Sequence, residues 1–321
     1  MSGLKLRAVS RTQGNNQALK DGTVRPKTFE FAFEEVNPLI DAFRRMVRGL
    51  EFDICEMAIT TYICARAHGK RMTAIPVFIV RAFHHGAILV NTKAGIRTPK
   101  DLEGKRVGVN RGYTVTTGVW ARGILQDHYG VPVESVTYVA GRIDADRSRD
   151  FAPFKPYNNI QVVGIEKHQT LDAMLEAGEI DALYTGIVPP CFLRGSKKVR
   201  RLFEDFESVE RAYFAQTGIF PIMHTVAMRK DVYERHPWAA KSLYDAFRKA
   251  HALAFDELYD TDALRVGLPW LLEHIEELWS VFGTDWWSYG VEANLPTLTA
   301  VGQYVHDVAG KCKSLIYTRG A

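Results

Sequence analysis

Hydrophobic residues along this chain fall into short runs separated by polar stretches, and the spacing within each run predicts an element. Leu4–Ser10 and Phe29–Phe33 alternate apolar with polar, the period of a strand with one buried face. Leu39, Ile40, Phe43, Met46, Val47 and Leu50 recur at helical spacing, which predicts a helix opening at Asn37 or Pro38. A short strand leading to Glu56 follows, and then a helix within Ile59–Ala67 that begins after Thr60 or Thr61. Ile75–Val80 and Ala87–Val90 are continuous apolar runs suited to buried strands, joined by Arg81, Phe83, His84, His85 and Gly86. The βαβαβ order predicts a parallel sheet with crossover helices.

After Asn91 the pattern restarts. Thr98 caps a short helix at Pro99–Leu102, Lys105–Asn110 is a strand, and a helix runs from about Thr114 to Tyr129, closed by Gly130. Val136–Val139, Ile160–Ile165 and Ile180–Tyr184 read as strands and Thr170–Ala177 as a helix. Gly141–Tyr157 reads as a loop or lid, and Arg11–Pro26 as a polar loop crossing the mouth of a site. Phe220–Arg229 places His224 between two apolar runs, as His85 is placed earlier. This predicts two crossings between lobes, with both His residues facing one cleft. The lobes are set at residues 1–84 plus 222–321 and at 85–221. Pro237 starts a further helix, and Leu268–Lys313 is helical.

Composition narrows the class. With 321 residues, 46% hydrophobic and 24% charged, the chain is expected to fold as a packed α/β protein. A net charge of +4 with no basic block argues against a nucleic-acid partner. No run approaches the roughly 20 apolar residues of a membrane span. Cys55, Cys64, Cys191 and Cys312 form no CxxC pair, which fits a reducing compartment, and no secretory leader is visible, so a cytoplasmic location is expected. Nothing here decides whether the chain forms a homo-oligomer.

Ligands of parallel sheets bind beyond the carboxyl ends of the strands. That rule selects Ser10–Arg11, Glu56, Arg81–His85, Arg111–Thr117 and Thr185–Gly186. In NRGYTVTTGVW a strand ends, Gly112 turns the chain and a Thr-rich helix start follows, a seat for an anion with Arg111 beside it. The plainer reading is N-capping by Thr114 or Thr116. Glu56 is either an acid–base carboxyl or an ordinary ion-pair partner. His85 and His224 are the candidate proton carriers. Two His with Glu56 could also ligate a divalent metal, but no HxH or HxxxE spacing supports it, so no metal and no organic cofactor are expected. Trp286–Trp287 reads as packing.

The runs IPVF, FHHGAILVNTKAGIRTPKDLEGKRVGV, VWARGILQDHYGV, TLDAMLEAGEIDAL and TGIFPIMHTVAMRKDVYERHPWAAKSLYDAF resemble the 4,5-dihydroxyphthalate decarboxylase family over roughly Leu4 to Leu295. The resemblance implies a two-lobed type II periplasmic-binding-protein-like fold, with two crossover strands and a ligand cleft between the lobes. It also implies a carboxy-lyase of phthalate and aromatic-compound catabolism acting on a small aromatic acid. His84 stands where the family tends to carry Arg, so His85 alone is carried over. RGYTVTTG also departs from the commoner family versions, and the CCCFC signature of the related thiamine-precursor synthases is absent. For such a decarboxylation His85 and His224 are expected to move protons, with Glu56 as orienting group or acid. Arg111, Thr116 and Thr117 are expected to clamp a carboxylate, with Arg81 and Arg11 as further anion contacts. The alternatives are a non-catalytic binding protein for an aromatic or sulfonated acid, and a ligand sensor.

Overall fold

The computed structural model describes residues 3–144 and 159–309. Its strands, in chain order, are β1 Lys5–Val9, β2 Glu30–Phe33, β3 Ile54–Ala58, β4 Met72–Arg81, β5 Ile88–Asn91 and β6 Arg106–Asn110. They continue with β7 Thr137–Gly141, β8 Gln161–Gly164, β9 Ala182–Tyr184, β10 Val199–Arg201 and β11 Ile222–Arg229. The chain divides into two compact units. One joins residues up to Arg81 with Ile222–Leu295; the other joins Ala82–Pro221 with the chain from Pro296.

The first unit holds a sheet in the order β2-β1-β3-β11-β4. β1 pairs in parallel with β2 and β3. The sheet is not all-parallel as expected, because β11 runs antiparallel between β3 and β4. Period-two alternation serves two cores at once. Leu6, Ala8, Ile54, Val226 and Met228 pack against Leu243, Ala246 and Phe247 of the helix Pro237–Asp256. Val9, Cys55, Met57 and Ala227 pack against Ala42, Phe43 and Met46 of the helix Leu39–Gly49. The expected loop at Arg11–Pro26 instead forms a 3-10 turn, Gly14–Asn16, and one helical turn, Gln17–Lys20, because Leu19 and Val24 join the first of these cores.

The second unit holds a sheet in the order β10-β5-β9-β6-β7-β8. Here β6, β7, β8 and β9 are mutually parallel, while β5 and β10 pair antiparallel. Leu89, Val139, Leu171, Leu175 and Leu183 form its core. The expected assignment of residues 222–321 to the first lobe differs at its end. The helix Leu295–Ala309 packs on the helix Thr116–Tyr129, where the Tyr304 ring meets Trp120 edge-on at 5.6 Å and covers Gly123. The lid expected at Gly141–Tyr157 lies, from residue 145, outside the described residues. Among the described residues no helix is long and apolar enough to cross a membrane.

Candidate functional site

Strand ends set the first constellation. Val9 pairs with Cys55, so the residues that follow, Ser10 and Glu56, come side by side where β1 runs out beside the middle of β3. β11 adds His224, which pairs with Ala58, while Glu56 pairs with Val226. Glu56 and His224 are therefore diagonal neighbours across an antiparallel pair, within reach of long side chains. His224 Nδ1 lies 2.6 Å from Glu56 Oε1. Glu56 is 1% exposed, and a carboxylate so buried must be satisfied by donors. Its second oxygen, Oε2, accepts from Ser10 Oγ at 3.0 Å and from the Arg11 backbone N–H at 2.9 Å.

This arrangement suits two different roles. With both oxygens of Glu56 engaged, the carboxylate is placed to orient its partner rather than to deliver a proton. An ionised Glu56 takes the Nδ1–H, which fixes the tautomer and leaves Nε2 of a neutral ring as the proton acceptor. The His224 side chain keeps 23% of its surface exposed, and the Phe43 ring meets it edge-on at 5.3 Å. The result is a carboxylate-steered imidazole open on one edge.

Two supporting residues hold that geometry. Asn16 Nδ2 donates to Ser10 Oγ at 2.7 Å and to the Arg11 carbonyl at 2.9 Å, while Asn16 Oδ1 accepts from the Gln13 N–H at 2.9 Å. Asn16 thus fixes the turn that presents both donors to Glu56. Strand-end reasoning reaches Ser10, but no local signal in SRTQGNN marks Asn16. Ser10→Ala and Asn16→Ala are each expected to lower kcat roughly tenfold, the cost of about one hydrogen bond to a charged group, with KM nearly unchanged. A KM effect without a kcat effect would exclude this positioning role.

The other expected residues fall elsewhere. Arg11 contributes its backbone N–H, and its side chain is exposed. Arg81 is 7% exposed; its guanidinium donates to the Ser288 carbonyl at 2.7 Å and to Asn294 Oδ1, so it ties the segment after Trp287 to the end of β4. His84 and His85, which join two apolar runs and of which His85 was expected to face a cleft, are core residues of the second unit at 1% exposure each. Aromatic rings make that seat. His85 is edge-on to Tyr129, Phe203 and Tyr213 at 5.8, 5.1 and 5.2 Å, and His84 stacks over Trp120 at 6.4 Å. Neither imidazole has a hydrogen-bond partner.

Burial lowers His84 to about 3 and His85 to about 4, with His85 disfavouring a charge on His84 and His128 one on His85. Glu210, 3.9 Å from His85, accepts from the Gly86 N–H, and burial raises its carboxyl. Both His residues are neutral in the fold and titrate normally, near 6.5, when unfolded. Their stabilising contribution is complete above pH 6.5 and is lost as pH falls toward 4. Each pKa unit corresponds to about 1.4 kcal/mol. Urea titrations from pH 7 to pH 4.5 should therefore show a steep loss of stability, and His85→Phe, which fills the same aromatic seat, should flatten it. Equal slopes in the two proteins would contradict this.

The residues expected to seat an anion lie in the second unit. Arg111 adopts φ +70° and its N–H donates to the Gly141 carbonyl at 2.8 Å. The helix Thr116–Tyr129 opens at Val115 with no side-chain cap, so Thr114 and Thr116 are not the ordinary caps weighed above. Thr116 and Thr117 are buried in its first turn, whose N–H groups and dipole favour an anion. Among the described residues no group of three or more His, Cys, Asp or Glu is placed to hold a metal ion.

Two α/β units, each built on a mixed sheet whose antiparallel strands come from distant parts of the chain, define a periplasmic-binding-protein fold. The periplasmic aliphatic sulphonate binding protein SsuA of Escherichia coli matches 97% of this chain and 96% of its own at TM-score 0.53 and 15% identity. A putative periplasmic sulfonate-binding SsuA from Methylobacillus flagellatus matches 95% and 87% at TM-score 0.52 and 11% identity. These likenesses establish the fold alone. No family profile matches the chain. A 4,5-dihydroxyphthalate decarboxylase of Comamonas testosteroni is 34% identical over 295 residues, 92% of this chain and 89% of that protein. One of Pseudomonas putida is 34% identical over 166 residues, 51% of this chain and 64% of that protein. The chain belongs to the 4,5-dihydroxyphthalate decarboxylase family.

Proposed function

We propose that this protein converts 4,5-dihydroxyphthalate to 3,4-dihydroxybenzoate and carbon dioxide, with His224 as the proton carrier and Glu56 as its orienting partner. The observation that carries the mechanism is the 2.6 Å contact between His224 Nδ1 and a buried, fully hydrogen-bonded Glu56 carboxylate. Identity of 34% to a 4,5-dihydroxyphthalate decarboxylase over 92% of the chain supports the substrate.

The leaving carboxylate is para to a hydroxyl. His224 Nε2 takes that hydroxyl proton, and Glu56 stabilises the imidazolium formed. The phenolate oxygen pushes electrons into the ring, and the carboxyl-bearing carbon takes a proton from water. The bond to the carboxylate then breaks, and its electron pair restores the aromatic ring as carbon dioxide leaves. The imidazolium returns its proton to the phenolate oxygen, so one proton is consumed overall. Carboxylate recognition is assigned to Arg111, Thr116 and Thr117. His85, sealed among aromatic rings, is assigned to packing. The compartment in which the reaction runs is taken to be the cytoplasm.

The deciding experiment incubates the protein with 4,5-dihydroxyphthalate, with and without chelator, and follows 3,4-dihydroxybenzoate by chromatography. Product in both samples supports the proposal. Product lost with chelator replaces it with a metal-dependent route. No product in either removes this substrate.

A further inference from the structure

In the first unit the stretch after the helix Pro237–Asp256 presents its large apolar residues outward. Leu264, Val266, Leu268 and Trp270 occupy alternate positions of a bent segment and are 60, 52, 48 and 73% exposed. The helix that follows, Leu271–Phe282, is amphipathic, yet it buries only Ile275, and Leu272 and Trp279 remain exposed. The stretch is held in shape from beneath: Trp279 stacks on Tyr259 at 5.2 Å, and Trp286 packs on Phe255 at 4.9 Å. Scattered exposed apolar side chains are ordinary, but a contiguous set offering on the order of 500 Å² marks a contact surface.

Charge selects the occupant. Residues 256–285 hold eight Asp or Glu and one Arg, so the other 291 residues hold 29 acidic and 40 basic side chains. One such stretch therefore repels another, and its complement is a basic surface. The remainder of an identical chain supplies one. We propose that residues 259–282 form an arm that docks on the basic body of a second copy of this chain, each copy lending its arm to the other. A two-fold axis closes this exchange, since each arm then meets an identical acceptor. Two arm contacts of this size, each with a polar rim, reach the roughly 800 Å² per partner of a stable interface.

The test uses the full chain. Sedimentation velocity over a range of protein concentrations should show a dimer or a larger closed assembly that weakens as salt is raised. Leu264→Glu/Leu268→Glu, placed on exposed positions outside the candidate site, should sediment as a monomer with an unchanged melting temperature. A wild-type monomer at every concentration, or a variant that keeps the wild-type mass, overturns the proposal. If the variant does not fold, hydrogen exchange of the wild type decides: amides of 259–282 should lose protection on dilution, and unchanged protection overturns it.

Discussion

Glutamine in place of His224 lowers kcat by about 10²–10⁴-fold, the usual worth of a positioned acid–base group, while KM stays within a few-fold. The substitution keeps a hydrogen-bond donor for Glu56 Oε1, so the buried carboxylate is not stranded and the loss reports proton transfer. Glu56→Gln lowers kcat by about 10²-fold or more for a different reason. Three donors converge on the carboxylate, from Ser10, Arg11 and His224. An amide offers one acceptor oxygen and turns an N–H₂ toward at least one of those donors, which misplaces the ring or forces its other tautomer. Steady-state formation of 3,4-dihydroxybenzoate measures both. If His224→Gln retains wild-type kcat, the proton carrier is another group.

Gly123→Ala destabilises the protein by about 1–3 kcal/mol or more, the usual cost of overpacking. Two effects compete. Alanine within the helix Thr116–Tyr129 gains up to about 1 kcal/mol of helix propensity. Against this, a Cβ at position 123 would overlap the ring of Tyr304, and three of its carbons stand in the way at once. The ring is 4% exposed and packed edge-on against Trp120, so it moves only by giving up that contact. The steric term wins. Urea midpoints of Gly123→Ala, Tyr304→Ala and the double variant test it, since the double variant should cost less than the sum of the singles. Additive costs would show that the two residues do not meet.

Element identity was largely legible in the sequence because it rests on local periodicity. The helix Ile59–Ala67 ends where expected and starts about a residue or two before the expected Thr60 or Thr61, and Gly130 closes its helix as expected, in the left-handed conformation. The pairing of Glu56 with His224 was not local, since 168 residues separate them, but each was visible as a polar residue set into an apolar run. What stayed hidden was whatever depends on which segments become neighbours. The parallel sheet expected from βαβαβ order ignored a strand arriving from residue 222. His85 was read as facing a cleft because the rings that enclose it come from positions 129, 203 and 213. The Arg81 side chain was read as an anion contact because its partners, Ser288 and Asn294, lie more than 200 residues away. Sequence spacing carries no record of such meetings.

The place of β11 in its sheet has a consequence for biogenesis. A ribosome releases β1 to β4 long before residues 222–229 exist, and the sheet cannot close without the strand that separates β3 from β4. The N-terminal 81 residues must wait with two strand edges unsatisfied while residues 82–221 are synthesised, and the six-stranded sheet of the second unit, all of whose strands lie in that span, can form in the interval. The sheet encoded in the middle of the chain can therefore close before the sheet encoded at its start. His224 rides on the strand that completes the first sheet, so an unfinished chain lacks the proposed proton carrier and acquires it only as its first unit closes.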